Sequence, residues 1–277
     1  MTVRHSAVAG RFYPDDPVTL LAEVQSYTTT GKEPIPALGC VVPHAGYMYS
    51  GHVAGAVYAR MQVPQRCILM CPNHTGMGQP LSIMSQGRWQ TPLGHVPVDS
   101  ELSAALKERF SFLSEDAAAH RAEHAAEVQL PFLQACQPHL SFVPIALGTS
   151  RFELLEGLGE AIADVIAQQD ERVLVIASSD MNHYESDAVT RVKDHKAIDQ
   201  ILALNPRGLF DVVMKEQISM CGFGPTVAML TAASRLGATS AELVRYATSQ
   251  AWRCDRRILI PMPEKKGDPK VARTSPP

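Results

Sequence analysis

Arg172-Val173-Leu174-Val175-Ile176-Ala177-Ser178-Ser179 is an apolar run that stops at Asp180, with Asn182 and His183 just beyond. A short, β-branched run with no polar residue interleaved predicts a strand buried on both faces, and such strands belong to parallel sheets covered by helices. Two further runs share the design. Cys67-Ile68-Leu69-Met70-Cys71-Pro72-Asn73 stops at His74, and Gly39-Cys40-Val41-Val42-Pro43 stops at His44. Ligand sites in α/β sheets gather outside the carboxyl ends of the strands. The chain is therefore expected to deliver two imidazoles and a carboxylate to one sheet edge.

Working outward, Asp15-Asp16-Pro17 opens a predicted helix with Leu20, Leu21 and Val24 as its apolar stripe. Ser50-Gly51 opens a second, small-residue helix from Val53 to Arg60. Leu81 to Val98 reads as an antiparallel hairpin excursion, and Ser100 caps a helix to about Arg109. A further helix is predicted over residues 117–135, a strand over 141–147 and an amphipathic helix over 152–168. Helices follow near 187–203, 206–215 and from Gly224-Pro225 to about Leu236, then a last strand over 242–247. The pattern predicts an α/β fold: a single domain with a mixed, largely parallel central sheet flanked by helices, spanning residues 1–250. Residues 251–277 form a basic, Pro-containing tail of seven Arg and Lys against three acids, expected to be disordered in part.

Bulk composition excludes several classes. The 277 residues carry a net charge of −3, which does not point to nucleic-acid binding. No apolar run approaches the roughly 20 residues of a membrane span. The first residues lack the apolar core of a signal peptide, so a cytoplasmic protein is expected. Six Cys, none in a C-x-x-C pair, fit free thiols rather than a disulfide framework.

Five groups besides His44 and His74 could carry chemistry. His124 and Glu127 are spaced three apart on the predicted 117–135 helix, on one face with His120 nearby. Asp180 is either a cap of the next helix or a functional group, a general base or a partner that fixes a histidine tautomer, with His183 beside it. Cys221 precedes a predicted helix N-terminus, where amide dipoles favour thiolate; the competing reading is an inert buried thiol.

At these residues the sequence resembles the Memo family, whose bacterial members are called AmmeMemoRadiSam system protein B. The matching stretches are Ala7 to Pro14, Val42-Pro43-His44-Ala45-Gly46-Tyr47-Met48-Tyr49-Ser50-Gly51 and Pro72-Asn73-His74. Glu123-His124-Ala125-Ala126-Glu127-Val128-Gln129-Leu130-Pro131-Phe132, Ser178-Ser179-Asp180-Met181-Asn182-His183-Tyr184 and Cys221-Gly222 complete them. The resemblance implies a fold like the class III extradiol dioxygenases, which use non-heme iron. It implies copper or iron, with zinc a further option, held by His44, His74 and Cys221, and His124, Glu127, Asp180 and His183 lining the same pocket. Radical-SAM and AMMECR1-type proteins are the partners that the family name suggests, and a small-molecule or peptide ligand is expected. The family pattern breaks after Ser249, where Gln250-Ala251-Trp252-Arg253 replaces a Gly- and Asp-rich loop; a shifted reading frame is one explanation, and Ile258-Leu259-Ile260 is the candidate replacement for the lost strand. Three functions stay open: a metal-dependent oxidoreductase, a non-catalytic metal- or peptide-binding protein, and a hydrolase using Cys221 as nucleophile with His124 or His183.

Overall fold

The computed structural model describes residues 2–29, 31–248 and 257–263. In chain order its elements are β1 (Val3–Arg4), α1 (Pro17–Tyr27), β2 (Ala37–Val42), α2 (Tyr47–Arg60), β3 (Arg66–Pro72), β4 (Leu81–Ile83), β5 (Arg88–Thr91), β6 (Gly94–Pro97), α3 (Ser100–Arg109), β7 (Ser114–Glu115), α4 (Ala118–Arg121), α5 (Leu130–Cys136), β8 (Ser141–Leu147), α6 (Phe152–Ile166), β9 (Val173–Ser178), α7 (Asp187–Leu202), α8 (Pro206–Glu216), α9 (Phe223–Arg235), β10 (Glu242–Val244) and β11 (Arg257–Pro261). Eight strands form one sheet in the order β10-β11-β2-β9-β3-β8-β4-β7, and β1, β5 and β6 form a small second one. The central pairs β2/β9, β9/β3 and β3/β8 are parallel; β4 and β11 join antiparallel on either side. This is the mixed, largely parallel α/β architecture that the three apolar runs predict.

Both faces of the central strands are buried, with alternate residues serving opposite cores. Val173, Val175 and Ala177 of β9 pack with Leu155, Leu158 and Ile162 of α6 and with Val227 and Met229 of α9. Leu174 and Ile176 point the other way, toward Leu20 and Val24 of α1, Val57 of α2 and Phe132 of α5. Each such aliphatic side chain contributes about 1.5–3 kcal/mol by leaving water. Helix α2 lies tight on α1: a Cβ at Gly55 would stand 2.5 Å from Tyr27.

Several local expectations need correction. Helix α2 opens at Tyr47 after Gly46, ahead of Ser50-Gly51, so Gly51 is an interior residue. Asp99, not Ser100, caps α3, its carboxylate accepting from Leu102 N at 3.0 Å. Leu21 is exposed while Leu20 and Val24 are fully buried. The predicted 117–135 helix is broken into α4, a 3-10 turn at Glu127–Gln129 and α5. Pro131 sits in the first turn of α5, where its missing N–H costs nothing; the non-helical stretch at 122–126 lies upstream of its reach, and nothing in the proline explains it.

Residues 257–261 take the place beside β2 as strand β11, with Leu259 opposite Cys40. The tail assigned to 251–277 otherwise falls outside the described residues, as does the segment where the family pattern breaks. The five described cysteines are free thiols. No helix among the described residues is long and apolar enough to cross a membrane.

Candidate metal centre

Parallel pairing brings three strand ends level. Val42 of β2 is in register with Ser178 of β9, and Ala177 of β9 with Met70 of β3. His44, Asp180 and His74 each follow two residues past the last strand residue, so the three reach one edge together. His44 is 2% exposed, with Nδ1 3.0 Å from Ser178 Oγ and Nε2 3.1 Å from Cys221 Sγ. Cys221 arrives on the turn into α9. The close approach depends on Gly222, where a Cβ would fall 2.3 Å from the Ser178 carbonyl oxygen and 2.4 Å from Ser179 Cβ. His74 is held at two points by Glu123: its backbone N–H donates at 2.6 Å and its Nδ1 lies 2.9 Å from a carboxylate oxygen. One ligand atom each from His44, His74 and Cys221 lies within 4.8 Å of the others.

The donor set is two imidazole nitrogens and one sulfur, a combination suited to a transition metal rather than to magnesium or calcium. His74 also belongs to a second such group, with Glu123 and His124. The His124 ring stands 5.4 Å from that of His44 and 4.7 Å from that of His74, centre to centre.

Burial sets the protonation states. It pushes His44 down to about 4, against the pull of Asp180, so the imidazole is neutral. Burial alone would raise Asp180, yet the neighbouring His44 and the amides of His44 and Ala45 hold its carboxyl below the usual range. Of the two readings of Cys221, its surroundings favour the buried, protonated thiol. Desolvation, reinforced by Asp180, pushes the thiol up to about 12, and the amides at the start of α9 only partly oppose it. A cation bound here would displace that proton. A metal-free nucleophile is a different matter, and the hydrolase reading loses its activated thiol.

The remaining candidates fall in different places. Asp180 and His183 line a cleft of about 430 Å³ beside the centre, together with Tyr49, Ile198, Leu243 and Tyr246. Asp180 does not cap α7, whose N-cap is Ser186. Glu127 is elsewhere: fully buried, it pairs with Arg4 and accepts from the backbone N–H of Ala7 (2.8 Å) and Val8 (3.1 Å) and from Tyr13 Oη (2.6 Å). It ties the N-terminal segment to the core, and the shared helix face argued for His124 and Glu127 does not exist. His120 likewise packs against Trp89, 5.8 Å between rings, rather than with His124. The spacing argument missed Glu123 and Ser178. Glu123 stands directly before His124, and Ser178 ends the very strand that leads to Asp180.

The family model for Memo-like proteins matches residues 4–259. The chain belongs to the Memo family. A MEMO1 family protein of Methanopyrus kandleri is 40% identical over 260 residues, covering 89% of this chain and 92% of the relative. One from Methanothermobacter thermautotrophicus is 37% identical over 270 residues, covering 93% and 98%. One from Methanosarcina barkeri is 42% identical over 249 residues, covering 89% and 93%. The His44, His74 and Cys221 group of this Memo-family chain lies wholly inside the matched span.

Proposed function

We propose that this Memo-family chain holds a transition-metal ion between His44, His74 and Cys221 and works as a metal-dependent oxidoreductase on a small substrate seated in the adjoining cleft. The observation that carries the reading is the convergence of the three ligand atoms within 4.8 Å, with Asp180 lying against His44 on one side and lining the cleft on the other. A thiolate beside two imidazoles favours copper, with zinc next; a ferrous centre prefers a carboxylate as third ligand. A bound copper or iron ion would supply Lewis acidity and one-electron chemistry.

The chain's own groups do the rest. Asp180 has one carboxylate oxygen fixed by the amides of His44 and Ala45, while the other lies 3.9 Å from His44 Nε2. That second oxygen accepts a proton from a substrate hydroxyl reaching out of the cleft. His183, on the same wall, relays the proton to solvent. Burial lowers the proton affinity of His124, whose ring stands close to His44 and His74. Val41, Ile198 and Leu243 keep water from the inner cleft.

Metal content decides the reading. The purified chain, loaded anaerobically with copper, iron or zinc, is expected to bind about one ion, and His44→Ala and Cys221→Ala are expected to lose it. Asp180→Asn should keep the metal and lose turnover in an oxygen-consumption screen. Folded wild-type chain that refuses all three metals would overturn the proposal in favour of a non-catalytic binding protein.

A further inference from the structure

The hydrogen-bond polarity beneath the centre can be worked out from two carbonyl oxygens, which only accept. Gln129, fully buried, presents its Nε2 to Pro43 O at 2.8 Å and to Ser178 Oγ at 2.9 Å, while Tyr58 Oη donates to its Oε1 at 2.9 Å. The side-chain amide is thereby oriented, and one of its protons goes to Ser178. The single proton of the Ser178 hydroxyl is committed to Ala125 O at 2.7 Å. Ser178 Oγ has therefore only a lone pair left for His44 Nδ1 at 3.0 Å, so Nδ1 must carry the proton. The other ring nitrogen, Nε2, is left with its lone pair directed toward Cys221.

The same count applies to His74 with a different partner. Glu123 receives the His74 backbone N–H at 2.6 Å, the Ala125 N–H at 2.9 Å and His74 Nδ1 at 2.9 Å. A carboxylate ringed by N–H donors accepts from all of them, so His74 too is protonated at Nδ1 and offers Nε2 to the centre. One imidazole thus leans on a neutral hydroxyl and the other on a buried anion. A carboxylate behind a ligating imidazole raises its basicity and fixes its ring.

We propose that Ser178 and Glu123 are positioning residues that lock His44 and His74 in the Nδ1–H tautomer, and that their unequal character makes His74 the stronger donor of the two. The proposal rests on the metal reading above only for its claim about donor strength. Tautomers are a property of the metal-free chain.

Long-range proton–nitrogen NMR of the metal-free chain at neutral pH reads the tautomers, and competition titration with Zn(II) reads affinity. Wild type should show Nδ1–H at both rings. Ser178→Ala should release His44 into a tautomer mixture, while Ser178→Thr, which keeps the hydroxyl, should hold it. Glu123→Gln should retain the His74 tautomer, because an amide oxygen still accepts, yet weaken Zn(II) more than Ser178→Ala does, within the roughly 10- to 100-fold loss usual for such partners. Nε2–H at either wild-type ring, or a Ser178→Ala chain with unchanged tautomer and affinity, overturns the proposal. Equal Zn(II) losses in Ser178→Ala and Glu123→Gln overturn the donor-strength claim. A wild-type chain with both tautomers fixed but no metal uptake sinks the metal reading and upholds the positioning assignment.

Discussion

Glu123 and Glu127 stand four residues apart, are both fully buried, and have opposite employments. Glu123 faces two imidazoles, with His74 Nδ1 at 2.9 Å and His124 Nδ1 at 3.4 Å. Glu127 faces Arg4, Tyr13 and two backbone amides of the N-terminal segment. Residue type and burial are the same; the partners differ. A buried carboxylate surrounded by arginine and amides is an anchor, because its charge is fully spoken for. One surrounded by imidazoles transmits its charge to groups that themselves point at an open centre. His120, a few residues earlier and also fully buried, packs on Trp89 and feels the Arg4 charge more than the opposing charges of Asp116 and Glu123, and so stands nearer the anchor.

The largest effect should come from Glu127. Glu127→Ala leaves the Arg4 guanidinium buried without its counter-charge, and breaking such a pair costs about 3–5 kcal/mol. Urea denaturation should show a loss of that size, with any molecules that remain folded still binding metal. A loss near zero would mean that Glu127 is not an anchor, and the contrast with Glu123 would collapse. Gly222→Ala should be next. Its Cβ would strike the Ser178 carbonyl and Ser179, and overpacking of this kind costs about 1–3 kcal/mol. Because the strain falls on the turn carrying Cys221, metal affinity should drop with stability, unlike in Glu127→Ala. Unchanged affinity would show that Cys221 does not need its close approach to His44.

The sheet and the strand-end residues were legible because both follow from short-range pattern. Val173 to Ala177 and the two sister runs reveal their burial in composition alone, and His44, His74 and Asp180 follow from where the runs stop. Cys221 joined them only through the family resemblance. What lay hidden was the content of the 117–135 stretch. Its alanines and its Glu/His spacing satisfy a helical period, but the backbone leaves the helix at 122–126, where Glu123 turns to the His74 amide and ring while Glu127 resumes a helical turn facing the N-terminal segment. The Cys221 thiol stayed between two readings for a related reason. Proximity to a helix N-terminus can be read from sequence, whereas the desolvation that outweighs it depends on how three strand ends and α9 close over the site.

The smallest effect at neutral pH tests the third buried group of that stretch. Desolvation, helped by the Arg4 charge, pushes His120 down to about 4, below the ordinary value of 6.5. The unfolded chain therefore binds a proton that the native chain refuses between these limits, and stability falls as pH drops from 6.5 toward 4. Above 6.5 both states hold a neutral ring and the contribution to stability is complete. The full shift corresponds to roughly 3 kcal/mol across the window. His44, lowered to a similar value, adds to the same slope. His120→Phe keeps an aromatic ring against Trp89 and removes the titration, so it should change stability by less than about 1 kcal/mol at pH 7.5. In urea titrations between pH 7 and 4.5, the variant should lose stability about half as steeply as wild type wherever the two histidines dominate. A variant with an unchanged slope would put the acid sensitivity at His44 alone and separate His120 from the buried titrating groups.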